Sequence, residues 1–320
     1  TRSFVDFGLY VAFFPQITAG PIYRPQKLLP QIAAPRIWRT DLLYKAWPLI
    51  LMGLFKKIVV ANSVSPFTSR IFNLEEPTLL LALTGALGFT LQILADFSAY
   101  VDLSRGVACL LGFDTSENFK SPYLALTPTE FWNRWHITLS NWLRDYIFFP
   151  VRRWLMTTSR PNWLIQTIPP LVTMLISGVW HGAGWMFLLW GLFHGLLILL
   201  YQSAGFGGNW KPRNAVHTCL AWLVMFGFII FSWMIFAAPS PGWMLRLFSN
   251  PWAGSLEQQA IALLTLTVTA AYALPLLVQL LMERHTPEAS FLRAIYYAVA
   301  TAAIIVYLNS SMPDFIYFQF

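Results

Sequence analysis

Long apolar blocks separated by short polar loops dominate the sequence. The longest stretches without Asp, Glu, Lys or Arg lie between Glu76 and Asp96, Arg160 and Lys211, Arg213 and Arg246, Glu257 and Glu283, and Arg293 and Asp314. A helix that crosses a bilayer needs roughly 20 mostly apolar residues. Because backbone groups in lipid must be satisfied within their own segment, helices are the expected form. The pattern therefore predicts an all-α, polytopic bundle of transmembrane helices.

The boundaries of the apolar blocks predict the individual spans. A short apolar segment, Phe7–Phe14, stops at a stretch rich in helix breakers, Pro15–Pro21, which we expect to be bent or re-entrant. The full spans follow in this order: Leu42–Val60, Leu79–Ala95 with an extension to Leu111, Trp163–Trp180, Trp185–Tyr201, Val216–Ala238, Ile261–Met282 and Ala294–Leu308.

Composition and charge agree with this pattern. Hydrophobic residues make up 57% of the chain and charged residues 11%, whereas soluble domains carry about 25% charged residues. The net charge of +7 does not indicate nucleic acid as a partner, because the basic residues sit in loops between apolar blocks. Positively charged loops lie inside, so we expect the loops after Tyr201 and Met282 to be cytoplasmic and the C-terminus to be outside.

The stretch Asp114–Arg160 differs from the apolar blocks in its amino-acid composition. It is rich in Trp, Arg and Asn and too polar to span a bilayer. Its spacing predicts helices that lie at the membrane interface, where Trp anchors and Arg extends toward the headgroups.

The strongest chemical signal is His181, which ends an apolar block inside Ser177–Trp185. A neutral imidazole at membrane depth can act as a general base, and the neighbouring glycines would let a substrate approach closely. A histidine held at a helix end by a backbone carbonyl explains the same residues equally well. From the residues alone, both interpretations stay open.

His136 is the second candidate. Asn133, His136 and Ser140 recur at helical spacings of three and four residues, which predicts a shared face. That face would line a polar tunnel. The alternative is an amphipathic interfacial helix whose polar face meets lipid headgroups, and the residues alone favour this alternative.

Structural roles are predicted for most other polar residues in apolar blocks. We expect His194 to be a satisfied interior histidine, Lys56 and Lys57 to snorkel, and Asp102 to pair with Arg105. The remaining predictions are that Cys109 and Cys219 are buried thiols and that His217 and His285 are solvated or snorkel. No metal-ligand spacing is present.

An ordered set of motifs then resembles a known family. The motifs are Phe13–Ile22, Gly53–Lys57, Asp96–Ser98 with Asp102, Phe131–His136 with Ser140 and Trp142, Arg144–Tyr146, Gly178–Gly182, Trp190–Gly191 with His194–Gly195, and Phe315–Phe318. Together they resemble the bacterial branch of the membrane-bound O-acyltransferase (MBOAT) family, which includes the alginate O-acetylation subunit and the teichoic acid D-alanyl transferase.

The resemblance implies a catalytic role for His181, with His136 matching the second motif position. It also implies a single transmembrane domain over residues 1–320, with helices around a central funnel. Relatives carry further spans before the Phe-Pro-Gln motif, and we expect this chain to lack them. The other predicted channel-lining or orienting residues are Trp180, Asn133, Arg134, Trp135, Ser140, Arg144 and Asp145.

The resemblance also implies the substrates. We expect a multi-pass enzyme of the bacterial plasma (inner) membrane, with no bound cofactor. It would use acetyl-CoA or another cytoplasmic thioester as acyl donor, an extracytoplasmic acyltransferase partner protein and a surface glycan acceptor. Two alternatives stay open: D-alanyl transfer from a carrier protein to teichoic acid, and a transporter whose histidines relay protons.

Overall fold

The computed structural model describes residues 3–17, 20–35, 39–207, 210–287, 290–308 and 315–316. Within these residues, all regular secondary structure is helical. The α-helices are α1 (Phe4–Val11), α2 (Phe14–Ile17), α3 (Pro25–Ala33), α4 (Thr40–Leu54), α5 (Asn62–Phe72), α6 (Leu79–Leu110), α7 (Pro128–Trp132), α8 (Ile137–Leu143), α9 (Phe149–Thr157), α10 (Asn162–His181), α11 (Trp185–Ser203), α12 (Ala215–Ala237), α13 (Pro241–Ser249), α14 (Leu256–His285) and α15 (Phe291–Tyr307). π-helical segments lie at Phe55–Ala61 and Arg144–Phe148, and a short 3₁₀ turn at Pro122–Leu124.

The predicted membrane-spanning pattern is confirmed. Helix α4, the π-helical segment Phe55–Ala61 and α5 form one continuous helix, Thr40–Phe72. Among the described residues, six helices are long and apolar enough to cross a bilayer: Thr40–Phe72, Leu79–Leu110, Asn162–His181, Trp185–Ser203, Ala215–Ala237 and Leu256–His285. The last predicted span corresponds to α15, which is apolar but shorter than the others. The polar stretch after Asp114 forms short helices, as its spacing predicts. Within Pro15–Pro21, residues 18–19 lie outside the described part of the chain.

The chain contacts divide the molecule into two compact units. Unit 1 takes in the described residues of 1–67, 91–117 and 264–319, and unit 2 takes in those of 68–90 and 118–263. Helices α5, α6 and α14 each contribute residues to both units. Both predicted catalytic histidines lie in unit 2.

The interior of unit 1 forms around the π-helical segment Phe55–Ala61, all of whose residues are buried. Its apolar side chains pack with Leu91 and Ala95 of α6 and with Ala300 and Ile304 of α15. A π-helical turn departs from the regular backbone hydrogen-bond pattern and is often found at functional sites. This segment also carries two lysines into the protein interior.

These lysines do not snorkel, so that prediction is wrong. Lys56 lies 2.5 Å from Asp102, and Lys57 lies 2.7 Å from Asp96. Both lysines are buried because α6 presents a carboxylate to each of them. Since Asp102 binds Lys56, the predicted Asp102–Arg105 pair does not form, and Arg105 instead lies 3.9 Å from Glu117.

Asp96 also binds the C-terminal part of the chain. The backbone N–H of Ile316 donates to its carboxylate at 2.6 Å, and the ring of Phe315 lies 4.3 Å from the Lys57 ammonium. Of the predicted Phe315–Phe318 motif, residues 317–318 lie outside the described part of the chain.

The predictions for two further histidines and for the two cysteines have different outcomes. His217 and His285 are exposed, as expected. Cys109 is half-buried, and its thiol lies 3.7 Å from the carbonyl of Leu42. Cys219 is exposed on the surface of α12, so the prediction that it is buried in the protein is wrong. An apolar context along the chain does not distinguish a protein-facing side of a membrane helix from its outer side.

Candidate active site

His181 lies at the end of α10, directly before the turn that leads into α11. Gly182 is the C-cap of α10 and Gly184 the N-cap of α11. The imidazole is half-buried among aromatic rings. Its centroid lies 5.0 Å from Trp180, 5.1 Å from Trp190 and 5.2 Å from Phe236, and each ring meets it edge-on. This surrounding holds the imidazole in place through apolar contacts.

Two glycines let α10 and α11 approach closely beside His181. A Cβ atom at Gly178 would overlap the carbonyl oxygen of Phe187, and one at Gly191 would overlap that of Met174. Backbone therefore packs directly on backbone, which only glycine permits. The glycine spacing in the sequence serves this helix contact as well as any approach of a substrate.

His136 forms the junction between α7 and α8. It is the N-cap of α8 with φ 42° and ψ 53°, in the left-handed region, where a residue other than glycine is uncommon. Asn118 supports the turn: its carbonyl accepts the N–H of Ile137 at 3.0 Å and its side-chain oxygen accepts that of Thr138 at 2.9 Å. The sharp turn directs a histidine that is only 3% exposed into the interior of unit 2.

The two predicted catalytic histidines share one neighbour. The ring of Trp180 lies 5.9 Å from His136 and 5.0 Å from His181. Burial, and to a smaller degree the neighbouring His181, lower the pKa of His136 to about 3. His136 is therefore neutral at pH 7, so it presents one hydrogen-bond donor and one acceptor.

The predicted common face of Asn133, His136 and Ser140 is wrong, because the helix breaks between Trp132 and Ile137. Asn133 is exposed at the end of α7. The Ser140 hydroxyl donates to the carbonyl of Trp135 at 3.0 Å. The spacing could not show the left-handed residue that interrupts the helical period.

The other predicted orienting residues separate into interior and surface positions. Trp135 is buried in an aromatic stack with Phe131. Arg134 pairs with Glu130 at 2.5 Å. Arg144 and Asp145 are exposed and lie 3.5 Å from each other, so their pairing is a surface feature of the π-helical segment.

His194 is the polar residue whose role the sequence did not reveal. It is 1% exposed, which confirms the interior position. However, neither of its ring nitrogens has a hydrogen-bond partner among the described residues, so no described protein group provides the partner that the prediction of a satisfied histidine requires. Its ring lies 4.8 Å from Trp190, which also contacts His181. The helical spacing of Trp190 and His194 was the available signal.

The fold and the site define a helical membrane protein in which two histidines contact the same tryptophan ring. The model of the MBOAT, membrane-bound O-acyltransferase family, matches residues 1–238. The chain belongs to this family, as the motifs predicted.

Individual relatives are similar over most of the chain. The probable alginate O-acetylase AlgI of Azotobacter vinelandii is 36% identical over 86% of this chain and 56% of its own length. The peptidoglycan O-acetyltransferase of Helicobacter pylori is 35% identical over 73% of this chain and 44% of its own length. The teichoic acid D-alanyltransferase of Bacillus subtilis is 30% identical over 71% of this chain and 60% of its own length. The chain thus spans about half the length of these relatives.

Proposed function

We propose that this protein is an O-acyltransferase that moves an acyl group, in the first place acetyl, from a cytoplasmic thioester to hydroxyls of a cell-surface polysaccharide or peptidoglycan. The observation that carries the proposal is the contact of His136 and His181 with the same ring, Trp180, in a chain of the MBOAT family. Two relatives are named for O-acetylation of alginate and of peptidoglycan, which supports the acetyl group and a glycan acceptor.

His181 serves as the general base in this proposal. Its imidazole removes the proton of the acceptor hydroxyl while the oxygen attacks the thioester carbonyl carbon. The carbon–sulfur bond then breaks, and the thiol leaves with the proton that the imidazole returns. The same residue would support a two-step relay, in which an intermediate hydroxyl first accepts the acyl group. His136, neutral at pH 7, binds the donor carbonyl or orients it toward His181.

We also propose the identity of the donor, the role of a partner protein and the location in the cell. Acetyl-CoA is the proposed donor, and an extracytoplasmic partner protein completes the transfer to the glycan. The location is the bacterial plasma membrane. The positions of the basic loops support a donor that arrives from the cytoplasm.

The test is transfer of label from acetyl-CoA in membranes that contain the full-length gene product and its partner. His181→Ala is expected to lower transfer on the order of 10²- to 10⁴-fold, because a positioned base contributes about that much. The matched control is His217→Ala, since His217 is exposed on α12. Normal transfer by a stably produced His181→Ala protein would falsify the assignment. Solute flux in proteoliposomes without any donor would instead favour the transporter.

A second candidate is D-alanyl transfer from a carrier protein. The Bacillus subtilis relative is named for this reaction, and Arg152, Arg153 and Arg160 are exposed at and after α9, where an acidic carrier would bind. Charge reversal at these arginines is expected to abolish carrier binding without changing use of acetyl-CoA. Unchanged carrier binding in the reversed protein counts against this donor.

A further inference from the structure

His194 lies inside a cage of aromatic rings in unit 2. The ring centroids of Trp190 and Trp132 lie 4.8 Å and 5.0 Å from it, each edge-on. Phe131 stacks on it at 6.0 Å with an interplanar angle of 7°, and Phe193 lies 5.6 Å away. These ring contacts orient the imidazole without using either of its nitrogens.

Several polar atoms at this position lack partners. Both nitrogens of His194 and the indole nitrogens of Trp132 and Trp190 are buried and have no hydrogen-bond partner among the described residues. His194 is 1% exposed and Trp190 0%. We call these three side chains the His194 cluster. Buried polar groups in folded proteins are generally hydrogen-bonded, and a concentration of exceptions indicates a place for water or a ligand.

The chemistry of the His194 cluster restricts what it can bind. An indole N–H only donates, and a neutral imidazole donates from one nitrogen. The complementary group is therefore rich in acceptors. The rings around His194 are aromatic and carry no charge, whereas a buried carboxylate or phosphate needs a paired charge. An uncharged carbonyl oxygen fits this surrounding best.

One aromatic ring, that of Trp190, lies between His194 and the proposed general base His181. Trp190 contacts His181 at 5.1 Å and His194 at 4.8 Å between ring centroids, so an indole ring touches both imidazoles. A substrate whose thioester lies at His181 would place a more distant atom at His194. A group bound there contributes to substrate binding and not to the transition state, so it affects KM more than kcat.

We propose that His194 is a substrate-positioning residue. Together with the indole N–H groups of Trp132 and Trp190, it binds an amide carbonyl oxygen in the pantetheine arm of the thioester donor. This inference rests on the proposed acyl transfer. A pantetheine arm is uncharged, carries amide carbonyls between methylene groups, and is shared by CoA and by carrier proteins. An aromatic cage with neutral donors is suited to such an arm.

The experiment uses the full-length gene product in membranes and measures kcat and KM for acetyl-CoA and for acetyl-pantetheine. His194→Phe keeps an aromatic ring against Phe131 but removes both nitrogens. We expect it to raise KM about 10-fold for both donors, as the loss of one good hydrogen bond would, with kcat changed less than about 3-fold. His194→Gln, which restores a donor and an acceptor, is expected to recover most of the loss.

A second variant keeps the test informative if His194→Phe does not fold. Trp132→Phe removes one indole N–H, and we expect it to raise KM in the same direction. Trp163→Phe is the matched control, since Trp163 is exposed at the start of α10. If transfer occurs only from a carrier-bound thioester, the same KM increase is expected with that donor, which identifies the source of the arm.

The outcomes distinguish this inference from the function on which it rests. An active wild-type protein whose KM is unchanged by His194→Phe and Trp132→Phe overturns the inference and leaves acyl transfer intact. A fall in kcat at constant KM also overturns it, because it assigns His194 to the chemical step. Absence of transfer from every thioester by wild-type protein counts against the proposed function itself.

Discussion

At the scale of single residues, His136 combines a left-handed backbone conformation with a buried imidazole. Its left-handed conformation costs on the order of 1–3 kcal/mol for a residue other than glycine, and the hydrogen bonds of Asn118 to Ile137 and Thr138 hold the turn. Such an arrangement persists only where the surrounding structure determines it. In this protein it places a neutral imidazole beside Trp180.

The stability of the protein is predicted to fall in acid because of His136. Its pKa is about 3 in the folded protein, against an ordinary value of 6.5. Between these values the unfolded chain binds more protons, so stability is fully present above pH 6.5 and decreases as the pH falls. The expected contribution is about 1.4 kcal/mol per pH unit. Thermal unfolding in detergent between pH 7 and pH 5 measures it.

The comparison variant is His136→Gln, which cannot take up a proton in this range. Its unfolding temperature is expected to depend less on pH than that of the wild-type protein. The matched control is His217→Gln, since His217 is exposed on the surface of α12. Equal slopes for wild-type protein and His136→Gln would show that His136 titrates normally.

At the scale of helices, the contact of α10 with α11 determines where His181 and His194 lie. We expect Gly178→Ala to push these helices apart, because its Cβ would overlap the carbonyl of Phe187. Overpacking of this kind costs roughly 1–3 kcal/mol, and a displaced His181 lowers transfer further. The measurements are the unfolding temperature and the acyl-transfer rate of purified protein.

Gly227 on α12 provides the control for this prediction. A Cβ atom there has nothing within 4 Å, and alanine favours a helix by roughly 1 kcal/mol over glycine. Gly227→Ala should therefore be at least as stable as the wild-type protein. If Gly178→Ala behaved like Gly227→Ala, the close helix contact would not be needed for the site.

The ion pairs between the π-helical segment and α6 give a second prediction at this scale. Lys57→Met leaves the buried carboxylate of Asp96 without its cation, which is expected to cost about 3–5 kcal/mol. The unfolding temperature reports this loss. The double variant Lys57→Met with Asp96→Leu removes both charges and should regain much of the stability. If the double variant were as unstable as Lys57→Met alone, an unpaired charge would not be the cause.

At the scale of the whole molecule, the distribution of basic loops predicts the orientation in the membrane. Ser203, at the end of α11, is expected on the cytoplasmic side, and Ser249, at the end of α13, on the outer side. Both are exposed. In a chain without Cys109 and Cys219, a membrane-impermeant maleimide should label Ser249→Cys in intact cells and Ser203→Cys only after lysis. The reverse pattern would contradict the orientation and the cytoplasmic donor.

The sequence by itself determined the membrane-spanning architecture and the family. The predicted spans Trp163–Trp180 and Val216–Ala238 differ from α10 and α12 by one residue at each end, whereas the helices that contain Leu42–Val60 and Ile261–Met282 are longer than predicted. The reason is physical: a bilayer selects segments by their own length and apolarity, which are properties of consecutive residues. The motif containing His181 was equally readable, because its glycines and histidine are adjacent in the chain.

Only the tertiary structure decided which polar groups meet. Lys56 pairs with Asp102, 46 residues away, and His136 turns away from the predicted helical face because Asn118 holds its backbone. The ring of His194 on α11 contacts that of Trp132, which lies in another helix. Partners that are distant in sequence are brought together by packing, and periodicity along a single helix carries no information about them. Composition therefore predicted the helices, whereas packing between helices determined the site.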